Sequence, residues 1–255
     1  MKIAVISDIH GNMQALDSIL KDIKSQKCEK ILCLGDLALA GPQPDKVIDF
    51  IKEQKDWEVI QGNTDKLIGD FTPVLADELK SKFKIMGNAL EYDVNSLTQE
   101  QKEYLKNLPA QKTLLIDGIK ILMVHGSPRR NNEDILPDRP IKEIEEMLEN
   151  VDADLIFCGH THIPCGYQTT HKQTVVNAGS VGRPMTEDAK PCYVVAEIKN
   201  GKFSVEHRFV DYDRNLAAEL LMQRGFQGSK KIAEMLLCPM QRHVANSKSK
   251  RNTNT

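Results

Sequence analysis

Seven residues able to hold a metal ion recur in one setting along this chain. Asp8 and His10 follow the apolar run Ile3-Ala4-Val5-Ile6, and Asp36 follows Ile31-Leu32-Cys33-Leu34. Asn63 comes just after Val59-Ile60, His125 directly after Ile121-Leu122-Met123-Val124, and His160 and His162 after Leu155-Ile156-Phe157-Cys158. Gly11, Gly35, Gly62, Gly126 and Gly159 stand beside them, where a tight turn and a close backbone approach would be needed. Mixed nitrogen and oxygen donors suit borderline divalent ions such as Mn, Fe, Co, Ni or Zn better than Ca or Mg. Two aspartates, one asparagine and four histidines are about enough for two ions that share a carboxylate. Taken singly, each motif has a plainer reading. Asp8-x-His10 could be a turn with Asn12 capping a helix, Asp36 a turn beside Gly35, and His125 a hydrogen-bonded strand-end histidine. His160-x-His162 is the best single motif, because alternate residues of an extended segment point the same way. Independent turns would not agree in position, order and residue type.

The elements that must position these residues follow from periodicity. Residues 2–7, 30–34 and 57–60 read as strands. Between them come helical patterns, with Leu16, Ile19, Leu20 and Ile23 on one face and Val47, Ile48 and Ile51 on another. Such alternation predicts a parallel sheet covered by helices, with ligands bound beyond the carboxyl ends of the strands. Short helices are expected in 64–97, where Pro73 interrupts the pattern. Thr98 and Gln101 form a capping-box sequence, and Asp117-Gly118 and Asn200-Gly201 are hairpin turns. Pro140 suits the first turn of a helix carrying Ile141, Ile144, Met147 and Leu148. Residues 155–158, 174–177 and 193–198 read as strands. From Asp213 the pattern is helical, with Leu216, Leu220 and Leu221 on one face and Ile232, Leu236 and Leu237 on another.

The formal charge of −2 leaves no electrostatic footprint for general nucleic-acid or anionic-membrane binding. No apolar run reaches the roughly 18–20 residues that span a bilayer. The six cysteines include no Cys-x-x-Cys pair, which argues against zinc ribbons and thioredoxin-like chemistry. Reduced cysteines in a cytoplasmic protein are the expectation.

The ordered series Asp8-x-His10, Gly35-Asp36, Gly62-Asn63, His125-Gly126 and Gly159-His160-Thr161-His162 resembles the signature of calcineurin-like metallophosphoesterases. The resemblance covers residues 1 to about 210. Asn177-Ala178-Gly179-Ser180-Val181-Gly182 also resembles a segment of the family's small, single-domain prokaryotic branch. It implies a four-layer αββα sandwich over 1–212. A C-terminal helical extension at 213–240, either a cap or an oligomer contact, and a polar, disordered tail at 241–255 would follow. Carried over by residue, Asp8, His10 and His162 would hold one metal, Asn63, His125 and His160 the second, and Asp36 would bridge them. The implied cofactors are two divalent ions, Mn foremost with Fe, Ni, Co or Zn as alternatives. The implied reaction is in-line attack on phosphorus by a hydroxide shared between the ions, Asp36, Asn63 and His125 being the catalytic set.

One position departs from the broader family. Many members carry a histidine after the Gly-Asn pair, the acid for the leaving group, and here that position is Thr64. The small branch often lacks that histidine and is associated with phosphodiesters. A phosphodiesterase acting on a small phosphate ester with a good leaving group (an aryl ester, a nucleotide-derived phosphate or a phosphoanhydride) is therefore the expected activity. Asn12, Thr64, Arg129, Arg130 and Arg183 are candidates for contact with the substrate. A phosphomonoesterase or protein phosphatase on the same site, and a non-catalytic scaffold of the same fold, are the alternatives. The complete ligand set favours an enzyme.

Overall fold

The computed structural model describes residues 1–238, so residues 239–255, including the expected tail, lie outside the described residues. Ten strands form two sheets among the described residues. The first contains β1 (Lys2–Ile6), β2 (Lys30–Cys33), β3 (Glu58–Val59), β9 (Cys192–Lys199) and β10 (Lys202–Phe209), in the order β10-β9-β1-β2-β3. The second contains β4 (Gln111–Ile116), β5 (Ile119–Val124), β6 (Leu155–Cys158), β7 (Cys165–Gln168) and β8 (Thr174–Asn177), in the order β4-β5-β6-β8-β7.

Each sheet has a parallel centre, β1-β2-β3 in one and β5-β6-β8 in the other, with antiparallel strands added. The purely parallel sheet implied by strand-helix alternation is thus corrected to two mixed sheets. Two of the antiparallel pairings, β4-β5 and β9-β10, are hairpins at Asp117-Gly118 and Asn200-Gly201, where both residues of each turn have positive φ, as a type I′ turn requires; β9 also runs antiparallel to β1, and β7 to β8. β7 is short and contains Gly166, and the sequence carries no clear strand signal there.

The sheets face one another across a core of Ile3, Val5, Leu32, Leu34, Met123, Phe157, Val176 and Val194. Helices cover the outer faces. Against the first sheet pack α1 (Met13–Ser25), α2 (Pro44–Glu53), α3 (Asn63–Gly69), α5 (Lys84–Ser96), α6 (Gln99–Asn107), α8 (Arg214–Gln223) and α9 (Ser229–Leu237), around Ile6, Leu16, Ile48, Leu90 and Leu221. α4 (Pro73–Lys82) lies beside α5 and buries little beyond Ala76. α7 (Ile141–Met147) covers the second sheet through Ile144 and Met147. The result is the expected αββα order of layers. α8 packs on α1 and inserts Ala217, Ala218 and Leu221, while Leu216 is 43% exposed, so the C-terminal helices are part of the first outer layer. No helix among the described residues is long and apolar enough to cross a membrane.

The arrangement places the carboxyl ends of β1, β2, β3, β5 and β6 together. Backbone bonds stitch the loops there, Asp8 N–H to Gly35 O at 3.0 Å, His10 N–H to Asp36 O at 2.9 Å, and Gly159 N–H to His125 O at 2.8 Å. The approach tolerates no extra atom. A Cβ on Gly62 would lie 2.1 Å from Asp36 Oδ1, and one on Gly159 would lie 2.0 Å from Ser7 Oγ.

Candidate metal centre

Two clusters of potential ligands form where these loops meet. Donor atoms of Asp8, His10 and His162 lie within 4.8 Å of one another, and so do those of Asp8, Asp36 and His125. All five side chains are buried. Asp8 Oδ1 lies 3.1 Å from His162 Nε2, 3.8 Å from His10 Nε2 and 3.9 Å from His125 Nε2. Asp36 Oδ2 lies 3.7 Å from His10 Nε2 and 3.4 Å from His125 Nε2, so it reaches a histidine of each cluster. Asp8, not Asp36, is common to both clusters, while Asp36 spans them.

The backbone has been bent to achieve this. Asp8, His10, Asp36, His160 and His162 all have φ between 47° and 66°. Asp and His enter this left-handed region more readily than most side chains, but each such residue still carries strain that the surroundings must hold.

The donor chemistry fits cations. His10 Nδ1 faces Ala38 O at 3.1 Å, His162 Nδ1 faces Arg183 O at 2.6 Å, and His125 Nδ1 faces Leu34 O at 2.8 Å. A carbonyl only accepts, so each Nδ1 carries the hydrogen and, in the neutral ring, each Nε2 presents a lone pair inward. His10 Nε2 and His162 Nε2 then lie 3.1 Å apart, two acceptors facing each other. Asp8 Oδ1 is buried with no hydrogen-bond partner, whereas Oδ2 accepts from Ser7 Oγ at 2.6 Å and from His160 N–H at 2.9 Å. A positive ion would satisfy these lone pairs together. Burial, then Arg183 and His162, push His10 down to about 3, which keeps it neutral. Burial acts the same way on His125, but Asp36 and Asp8 outweigh it and pull the ring up to about 10. Burial would raise Asp8 and Asp36; the histidines overcome it and hold both below the usual carboxylate range.

Asn63 and His160 complete the sequence-derived series but sit at its edge. Asn63 Oδ1 lies 3.0 Å from His125 Nε2, beside the second cluster. His160 Nε2 lies 3.3 Å from Asp134 Oδ1, and its ring meets that of His125 edge-on at 5.4 Å between centroids. His160 belongs to neither three-residue cluster. Asp134 had no marker in the sequence beyond being one carboxylate in a loop.

Buried groups outside the series hold the loops. Asp65, fully buried, accepts from the backbone N–H groups of Asp36, Leu37 and Gly62 at 2.8–2.9 Å. Burial and the Asp36 charge raise it to about 7, while the Gly62 N–H, the His125 ring and the Leu37 N–H pull the other way. Asp93 of α5 accepts from Ala40 N–H at 2.8 Å and pairs with Arg224 at 2.6 Å. Arg224 also donates to Gly41 O at 2.9 Å. The loop so held, with Leu39 and Ala40 at φ of 80° and 59°, supplies the carbonyls that orient His10.

The expected substrate contacts are placed as follows. Arg183 is buried and donates to Leu39 O and Ala40 O at 2.9 and 3.2 Å, which makes it part of the same brace. Asn12 caps α1 through Oδ1 on Ala15 N–H at 3.1 Å, and its Nδ2 donates to Gly182 O at 2.9 Å, so both ends of its amide are engaged. Thr64 Oγ1 donates to Ala38 O at 3.3 Å and its N–H to Asp36 Oδ1 at 2.8 Å. Arg129 and Arg130 lie 48% and 69% exposed and both pair with Glu133, at 2.7 and 2.9 Å.

Comparison with known proteins bears on the family and the fold. The family model for the calcineurin-like phosphoesterase superfamily domain matches residues 1–201. An uncharacterized protein of Methanocaldococcus jannaschii is 31% identical over 238 residues, covering 87% of this chain and 92% of that one. Among solved structures, a hypothetical protein of Pyrococcus horikoshii OT3 superposes with a TM-score of 0.84 at 25% identity, covering 94% and 99% of the two chains. A metallophosphoesterase of Sphaerobacter thermophilus shares the fold, with a TM-score of 0.72 at 22% identity over 93% and 99%.

Proposed function

The chain belongs to the calcineurin-like phosphoesterase superfamily and is a metal-dependent phosphoesterase, and from that premise we propose that it is a phosphodiesterase working with two divalent cations. The observation that carries this reading is the pair of buried clusters, Asp8-His10-His162 and Asp8-Asp36-His125, which interlock through Asp8. His10, His162 and Asp8 would hold the first cation. His125, Asn63 and His160 would hold the second, with Asp36 reaching both. Two such cations lower the pKa of water from 15.7 to about 7 and stabilise charge on the entering and leaving oxygens. Manganese suits the mixed donor set.

The chain's own residues supply the rest. Three backbone carbonyls keep the histidine Nε2 lone pairs pointing inward. The Thr64 N–H pins Asp36 Oδ1 and leaves Oδ2 toward the histidines. The Asn63 amide, 3.0 Å from His125 Nε2, would contact a phosphate oxygen. Hydrolysis is then attack of water on phosphorus with the ester oxygen departing on the opposite side. Thr64 cannot protonate that oxygen near neutral pH, and its hydroxyl is turned to Ala38 O. General-acid help, typically worth about 10²- to 10⁴-fold, is thus not supplied from this position. Aryl and nucleotide esters, whose leaving groups need less of it, are the favoured substrates. Free thiols at the six cysteines suit a cytoplasmic setting.

The test compares bis-p-nitrophenyl phosphate with p-nitrophenyl phosphate, with Mn²⁺ present or chelated. Metal-dependent cleavage that prefers the diester supports the reading. Preference for the monoester moves the activity to phosphatases. Turnover of neither, with metal bound, leaves a scaffold of this fold as the better account.

A further inference from the structure

A cavity of about 440 Å³ opens beside Asn63, within the roughly 300–1,000 Å³ usual for small-molecule sites. Leu67 of α3 and Leu75 of α4 form one part of its lining, and Asn131 and Asn132, from the loop after β5, another. Asn63 is common to this cavity and the metal centre. The cavity mouth is therefore within reach of a substituent on an ester whose phosphate sits at the centre. A larger hollow of about 950 Å³ lies beside α7, lined by Glu145, Glu149 and Asp152 among others, and shares no residue with the centre.

The lining chemistry narrows the occupant. The cation at the cavity, Lys66, lies 2.7 Å from Asp70, which also lines it, and Lys106 approaches the same carboxylate at 3.3 Å. A second anionic group would have to compete with Asp70 for Lys66. An uncharged group meets no such competition. The two leucines offer apolar contact to a flat ring. Each asparagine amide offers a donor and an acceptor side by side, the pattern that pairs with base edges. The loop carrying Asn131 and Asn132 is already fixed, because the neighbouring Glu133 gathers Ser127, Arg129 and Arg130. A site so pre-organised loses less freedom on binding.

We propose that this cavity binds the nucleobase of a nucleoside phosphodiester, with Leu67 and Leu75 against the ring and Asn131 and Asn132 on its edge. The proposal rests on the phosphodiesterase reading above and names the substrate class for it.

The experiment uses two esters with the same leaving group, thymidine 5′-phosphate p-nitrophenyl ester and methyl p-nitrophenyl phosphate, on the Mn²⁺-loaded protein. The expected result is a KM roughly tenfold lower for the nucleoside ester, the scale of a few well-placed contacts. Asn131→Ala combined with Leu75→Ala should erase most of that advantage. Leu75→Trp, which fills the cavity instead of emptying it, should erase it too, so a folding defect in the first variant leaves the idea exposed to test. Calorimetric binding of thymidine 5′-monophosphate against methyl phosphate gives the same comparison without turnover. Equal KM values and equal binding, with bis-p-nitrophenyl phosphate still cleaved, overturn the nucleobase site and leave the phosphodiesterase reading standing. If no diester is cleaved, the phosphodiesterase reading fails, and equal calorimetric binding of the two monoesters overturns the cavity assignment separately.

Discussion

The two sides of the metal centre are built differently. Around His10 and His162 every polar group is enclosed: Arg183 and Asp93 grip the 38–41 loop, Arg224 closes over Asp93, and that loop's carbonyls orient His10. Around Asn63 and His160 the side chains are only partly buried, and Asn63 borders an open cavity. The first side fixes charge at a point, which demands rigidity, because a metal ligand displaced by a fraction of an ångström loses its bond. The second admits something from solution, which demands access. A single loop cluster performs both tasks, braced throughout by buried hydrogen bonds but open to solvent beside Asn63.

The sharpest way to break this comparison is to remove the residue that touches both sides. Asp36→Asn should lower phosphoester turnover by more than about 100-fold, beyond what changes outside the ligand shell usually do. Steady-state kinetics with excess Mn²⁺ checks it; a variant that keeps a tenth of the activity would mean that Asp8 alone can join the clusters.

Next in size is the enclosed side. Arg224→Ala strands the buried Asp93 carboxylate, which burial raises and Arg224 lowers, and should cost about 3–5 kcal/mol of stability. Asn131→Ala, on the open side, should cost less than about 0.5 kcal/mol. Urea denaturation of both variants is the measurement, and equal losses would erase the distinction between the two sides.

Metal should stabilise the enclosed side directly. At a free Mn²⁺ concentration 100 times its Kd, linkage gives about 2.7 kcal/mol per site. Thermal melts should shift upward with Mn²⁺ and return with chelator, and Asp8→Asn should remove most of the shift.

The smallest effect belongs to the loop beside the cavity. Arg129, then Ser127 and Arg130, hold Glu133 down to about 2 from its usual 4.5, against the opposing effect of burial. A depressed carboxylate gives stability that is complete above the unfolded pKa and is lost as pH falls through the folded one. Wild-type melting temperature should therefore fall more steeply between pH 4.5 and 2 than that of Glu133→Gln. Parallel curves would show that the loop is held by something else.

Much of the candidate centre was legible in the sequence because the residues it gathers come from local patterns. Each follows an apolar run by a few residues, and the strand ends of a layered α/β fold converge. The capping box at Thr98 and both glycine hairpins are local in the same way. What escaped is held by contacts between distant parts of the chain. Arg224 meets Asp93 across 131 positions of sequence (224 − 93), and Arg183 meets Leu39 across 144. Nothing near either residue announces the partner. Asp65 is an intermediate case. It stands in the Gly62-Asn63-Thr64-Asp65 run, yet its role as a clasp on three backbone N–H groups is visible only once β2 and β3 lie side by side.

The left-handed backbone at Asp8, His10, Asp36, His160 and His162 also constrains how the protein can change over generations. At such angles a β-branched side chain is a steric outlier, whereas asparagine is accommodated. The tolerated substitutions at these positions are thus small polar ones that keep the loop geometry while weakening the hold on a cation. A lineage could give up catalysis by a single carboxylate-to-amide step and inherit an intact fold, ready to be selected for whatever its surface already binds.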